Sequence, residues 1–151
     1  MKSLKSYIQE KLIIKKSKSN SYKYFPKTKE ELKDIIVKRI EEGKEVDLND
    51  INVSKITDMS NLFEYLDFNG DISGWDVSNV TNMKHMFNSC KSFNQPLNKW
   101  DVSNVINMEN MFNGCESFNQ DISNWNVSNV KNNHKIFYNC PIRKKHQPKF
   151  K

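Results

Sequence analysis

No run of apolar residues in the sequence approaches the roughly 18 that a membrane-spanning helix needs, and "LII" at 12 to 14 is too short for a signal-peptide core. The expectation is a soluble cytoplasmic chain with no membrane partner. Cysteine is scarce. Three residues is an odd number for a disulfide framework, and Cys90, Cys115 and Cys140 recur at a constant interval of 25, which reads as one structural position used three times. Small buried thiols, kept reduced, are expected there. Arginine is scarcer: among 24 Lys and Arg residues only Arg39 and Arg143 carry the planar fork used for bidentate base recognition. Also missing are a Gly-rich phosphate loop, HExxH, CxxC and G-x-S-x-G. No enzyme activity, metal site or cofactor is therefore expected.

What the sequence does have is lysine, asparagine and repetition. With 151 residues and 36% hydrophobic content, it fits one domain with a modest core. The net charge of +6 is unevenly placed. Residues 1–50 carry 13 Lys/Arg against 9 Asp/Glu, residues 51–140 carry 6 against 9, and residues 141–151 carry 5 against none.

The phrase "WDVSNVTNMKHMF" at Trp75 returns as "WDVSNVINMENMF" at Trp100 and "WNVSNVKNNHKIF" at Trp125, a period of 25. Aligned, the copies give apolar columns: Ile72/Leu97/Ile122, Trp75/Trp100/Trp125, Val77/Val102/Val127, Val80/Val105/Val130, Met86/Met111/Ile136 and Phe87/Phe112/Phe137. A weaker copy, "INVSKITDMSNLF", places Ile51, Val53, Ile56, Met59, Leu62 and Phe63 in the same columns after a one-residue deletion. One such unit has too few apolar residues to offset the entropy of ordering itself, so the units must stack and share their burial.

Within a unit, Trp75 and Val77 alternate around Asp76, which predicts a short strand with one face inward. Val80, Met83, Met86, Phe87 and Cys90 recur at three and four, which predicts a short helical or 3-10 stretch behind it. The 21 asparagines form columns at Asn69/Asn94/Asn119, Asn79/Asn104/Asn129 and Asn82/Asn107/Asn132, expected to be turn ladders. His85, His134 and His146 sit at three different repeat positions and do not stack into a metal site.

Residues 68–95, "FNGDISGWDVSNVTNMKHMFNSCKSFNQ", resemble the 25-residue repeat of the BspA-like leucine-rich-repeat family, of the DUF285 type, and the resemblance extends over about residues 46–140. It implies a right-handed leucine-rich-repeat solenoid with a strand-lined concave face, and binding rather than catalysis. The fold expected is thus an α/β repeat solenoid of four coils, each a short parallel strand plus a short helix, with a helical N-terminal cap. On the family's pattern the concave face carries Gly74, Asp76, Ser78, Lys99, Asp101, Ser103, Asn124, Asn126 and Ser128. Many members are large secreted surface proteins; a chain with few repeats and neither signal peptide nor anchor points instead to a free-standing intracellular binder.

Ahead of the repeats, Thr28 and Glu31 form a capping box, and Leu32, Ile35, Ile36 and Ile40 line one face of a helix that Gly43 ends. Residues 1–16 predict a second helix, with Leu4, Tyr7, Ile8 and Leu12 on one side, followed by the linker "KKSKSNS". The organisation expected is a basic helical region and cap at 1–45, the repeats at 46–140 and a basic tail at 141–151.

The leading functional expectation is a non-catalytic module that binds and blocks or modulates a protein or ribonucleoprotein partner. An inhibitor made by a phage or other mobile element against a host defence enzyme fits its size and composition. Direct RNA binding is the alternative, with Lys11, Lys15, Lys16, Lys18, Lys23, Arg143, Lys144 and Lys145 as the phosphate-contacting residues. A fragment of a surface adhesin is a third reading. The oligomeric state stays open.

Overall fold

A computed structural model of the chain describes Ser6 and residues 22–151. The helix expected over 1–16 and the linker after it lie outside the described residues, Ser6 apart.

From residue 22 onward, the first helix is α1 (Lys29–Ile40). Its start is fixed locally: the Thr28 hydroxyl accepts from the Glu31 N–H at 3.2 Å, and the Glu31 carboxylate reaches back to the Lys27 N–H at 2.7 Å. Acidic Glu30 and Glu31 open it, and basic Lys38 and Arg39 close it, as the helix dipole favours. Leu32 and Ile36 are fully buried, and Ile35 and Ile40 pack beside them. Polar contacts seat α1 on the first repeat. Arg39 Nη1 donates to both carboxylate oxygens of Asp50 at 3.0 Å, and Lys29 Nζ donates to Asp58 and Ser60 at 3.3 and 3.0 Å.

The repeats that follow stack on one another, but not as an α/β solenoid. Across residues 22–151 there is one α-helix, α1, and no β-sheet; the repeats are joined by isolated parallel bridges running Asp58 to Asn82 to Asn107 to Asn132. The expected four coils of strand plus helix are therefore corrected, and with them the strand-lined concave face.

The backbone shows why. In the segment read as helical, the N–H groups of Met83, His85, Phe87 and Ser89 leave for the carbonyls of Asn107, Glu109, Met111 and Asn113 in the next repeat, at 2.7–2.9 Å. Those of Met86, Asn88 and Cys90 close local turns on the carbonyls three residues back. A helix would have sent every N–H four residues back. The alternation is enforced by left-handed residues, His85 (φ 56°) and Ser89 (φ 58°), repeated at Asn110 and Gly114 and at Lys135 and Asn139. Apolar spacing of three and four fits a helix, but it fits a run of such turns equally well. The sequence also contains no alanine and much asparagine, so local propensity gives a helix here little support.

The segment read as a strand fails for a different reason. Trp75 and Val77 do point inward and Asp76 outward, but the Trp75 N–H closes a turn on the Ile72 carbonyl and the Val80 N–H closes another on Val77. Alternation of side chains survives without a strand partner.

Stacking nevertheless builds one core. Phe63, Phe87, Phe112 and Phe137 form a ladder with ring centroids 5.3, 5.4 and 5.9 Å apart, and Phe68, Phe93 and Phe118 form another at 6.0 and 5.9 Å. Each Trp indole N–H reaches a carbonyl of the preceding repeat: Trp75 to Leu48, Trp100 to Ile72 and Trp125 to Leu97, at 2.9–3.1 Å. Gly70 is required by close approach, since a Cβ there would stand 2.1 Å from the Val46 carbonyl oxygen.

At the far end, Ile142 and Pro148 of residues 141–151 are buried, and His146 accepts the Ile122 N–H at 3.0 Å.

Candidate binding face

The segment from Gly74 to Thr81, with its counterparts one and two repeats on, presents outward side chains in register. Gly74, Asp76, Lys99, Asp101, Asn124, Asn126 and Ser128 are exposed, and Ser78 and Ser103 are half-buried. The structure thus brings these sequence-predicted residues to corresponding positions of successive repeats, on turns rather than on strands.

Most of them hold the turns together. The Asp76 carboxylate accepts from the Ser78 N–H at 3.1 Å and hydroxyl at 2.6 Å, Asp101 does the same with Ser103 at 3.0 and 2.6 Å, and Asn126 accepts the Ser128 N–H at 3.2 Å. The Ser103 hydroxyl and N–H hold the Asp101 carboxyl below its usual range, burial opposing only weakly. The Gly74 N–H donates to the Asn49 side chain at 2.8 Å, and the Asn124 amide donates to the Asn98 carbonyl at 2.7 Å. Lys99 projects from the same row.

The asparagine columns are turn ladders. Asn79, Asn104 and Asn129 donate their amides to the carbonyls of Ser54, Ser78 and Ser103 at 2.7–2.9 Å. Asn69, Asn94 and Asn119 accept the N–H groups of Asn94, Asn119 and Arg143 at 2.9–3.0 Å.

Beside the Asn79 column lies a row that sequence reasoning missed. Thr81, Ile106 and Lys131, with the three asparagines, line an open groove of about 400 Å³, and Ile106 is 44% exposed. Their backbones are locked together, the Ile106 N–H on the Thr81 carbonyl and the Lys131 N–H on the Ile106 carbonyl, both at 2.8 Å. A signal for it existed: within the constant phrase S-N-V-x-N, x is the letter that changes, from Thr to Ile to Lys.

The basic candidates among the described residues do not converge. Lys11, Lys15, Lys16 and Lys18 lie outside the described residues. Lys23 sits beside the first repeat, 3.5 Å from Asp50, whereas Arg143, Lys144 and Lys145 are exposed beyond the last one.

Among the described residues, no three His, Cys, Asp or Glu side chains come together as a metal site. His85 bridges Glu64 and Asn110 at 3.1 Å each, while His146 contacts the Asn119 carbonyl at 3.0 Å. Cys90, Cys115 and Cys140 are free thiols that point to the carbonyls of Phe68, Phe87 and Phe118. Burial pushes the Cys90 thiol up to about 12 and Cys140 up to about 11, with Cys115 higher again.

No helix among the described residues is long and apolar enough to cross a membrane. No curated protein and no solved structure matches the chain. Residues 31–150, which take in most of α1, all the repeats and nearly all of the tail, match the family described as "Mycoplasma protein of unknown function, DUF285", and the chain belongs to that family.

Proposed function

We propose that this protein is a non-catalytic binding module that acts by occupying the surface of a protein partner with the face built from residues 74–81, 99–106 and 124–131. One observation carries the reading: Thr81, Ile106 and Lys131 vary in chemistry while their backbones are fixed to one another by 2.8 Å hydrogen bonds, so a constant frame displays a changeable row. A rigid frame with variable outward side chains lowers the entropy lost when a partner docks, and partly exposed Ile106 gives the groove an apolar anchor.

The test is affinity purification from the native cell, in nuclease-treated and untreated lysates, with the full chain and with a Thr81→Glu, Ile106→Glu variant. A protein captured equally in both lysates and lost in the variant, with thermal unfolding unchanged, supports the reading. Capture that disappears with nuclease, or that the variant retains, overturns it.

A further inference from the structure

The repeats consume their backbone donors in one direction. Met108, Asn110, Phe112 and Gly114 donate to the carbonyls of Asn132, His134, Ile136 and Tyr138 in the last repeat, at 2.8–2.9 Å. The corresponding donors of that last repeat are the N–H groups of Asn133, Lys135, Phe137 and Asn139, and among the described residues nothing accepts them. The tail covers a different part of this end, through Arg143 to Asn119 and Ile122 to His146. The open row is bordered by half-buried Phe137 and Cys140 and by Tyr138, which is 56% exposed.

Charge is as one-sided as hydrogen bonding. From Ile122 to Lys151 the chain has seven Lys/Arg, all exposed, and no Asp or Glu. An end that offers a row of open donors and a surplus of positive charge asks for an occupant offering acceptors and negative charge.

Two candidates within the protein fail that requirement. A second copy meeting this end with its own would set donors against donors, and α1 stands at the first repeat's opposite edge, donating from Lys29 to the Ser60 hydroxyl and from Lys33 to the Asn61 carbonyl. Residues 1–21 carry six Lys against the single Glu10, so like charge disfavours them.

We infer that the C-terminal end of the repeat stack, at Asn133, Lys135, Phe137 and Asn139, docks an extended acidic segment of a protein partner, whose carbonyls take the place of a further repeat. The segment's backbone accepts from the open N–H row, its apolar side chains lie on Phe137 and Tyr138, and its carboxylates face the surrounding lysines. This rests on the protein-binding reading above and names the chemistry of the partner; the groove ends at Lys131, on the same repeat.

The experiment uses the full chain and a synthetic peptide of about 12 residues alternating Asp/Glu with Val/Leu, read by residue-resolved amide hydrogen exchange. Exchange at Lys135, Phe137 and Asn139 should slow by about tenfold or more on saturation with peptide. A Lys135→Glu, Lys144→Glu variant should bind the peptide about tenfold or more weakly, while Lys23→Glu, Lys27→Glu should change binding less than about twofold. Four outcomes overturn the inference. They are no peptide binding, binding that leaves these amides unprotected, protection by single-stranded RNA but not by peptide, and protection that depends on protein concentration without peptide. Partner capture that survives Lys135→Glu, Lys144→Glu but is lost in Thr81→Glu, Ile106→Glu sinks this site alone and leaves the binding module standing.

Discussion

The repeat beginning at Trp100 and the one beginning at Trp125 share the frame W-x-V-S-N-V-x-N and the Phe and Cys columns, yet they live in different surroundings. In the first, Val105, Met108, Phe112 and Cys115 are completely buried. In the second, Val130, Phe137 and Cys140 are only partly covered, and the position held by Met83 and Met108 has become exposed Asn133. What separates them is a neighbour on the far side. A residue in such a stack is buried by the repeat after it as much as by its own repeat, so equivalent positions differ in burial with their place in the array.

The widest separation should come from the aromatic ladder. Phe112→Ala removes a fully buried ring stacked on Phe87, Phe118 and Phe137, and should cost about 3–5 kcal/mol. Phe137→Ala, at the open end, should cost less than half as much; equal losses in chemical denaturation would erase the distinction between the two repeats.

Next in size is the indole ladder. Trp100→Phe keeps most of the packing but removes the 3.1 Å indole donor from the Ile72 carbonyl, leaving it the Trp75 N–H alone, at about 0.5–1.5 kcal/mol. An unchanged denaturation midpoint would show that the Trp75 N–H alone satisfies this carbonyl.

The thiols sharpen the comparison without a change in stability. In the native protein at mildly alkaline pH, an alkylating reagent should modify half-buried Cys140 well before fully buried Cys90 and Cys115, which should react only on unfolding. Mass spectrometry of the labelled peptides reads the order directly.

The smallest effect is acidic. Ser103 and Ser123, each through its hydroxyl and then its N–H, hold Asp101 and Asp121 below their ordinary value of 3.8. A carboxyl whose folded pKa is depressed adds stability that is complete above the unfolded pKa and is lost as pH falls through the folded one. Stability should therefore decline below about pH 4, and Asp101→Asn should flatten that decline slightly. Because Asp101 closes a turn, replacing it with Lys disturbs the frame as well as the face.

Much of this arrangement was legible in the sequence. The period of 25 fixed which residues share a column, and the inward columns at Trp75, Val77, Val80, Met86 and Phe87 are the buried ones. Thr28 and Glu31 announced the start of α1. The asparagine columns were readable as turn ladders because an Asn side chain can satisfy backbone groups wherever chains bend. Less legible was the candidate face: Asp76 and Asp101 look like free outward carboxylates, and only their contacts with Ser78 and Ser103 show that they brace turns. The open N–H row at 133–139 is written nowhere in the letters, because a main-chain donor has no letter.

The sequence by itself determined the repetition, the choice of inward residues and the helix that precedes them, since each depends on side-chain pattern and local capping. The tertiary structure alone decided that the repeats are built of turns. Spacing by three and four specifies which side chains face inward but not where each N–H goes, and only a neighbouring repeat at hydrogen-bonding distance draws alternate N–H groups out of the local turn and onto its carbonyls.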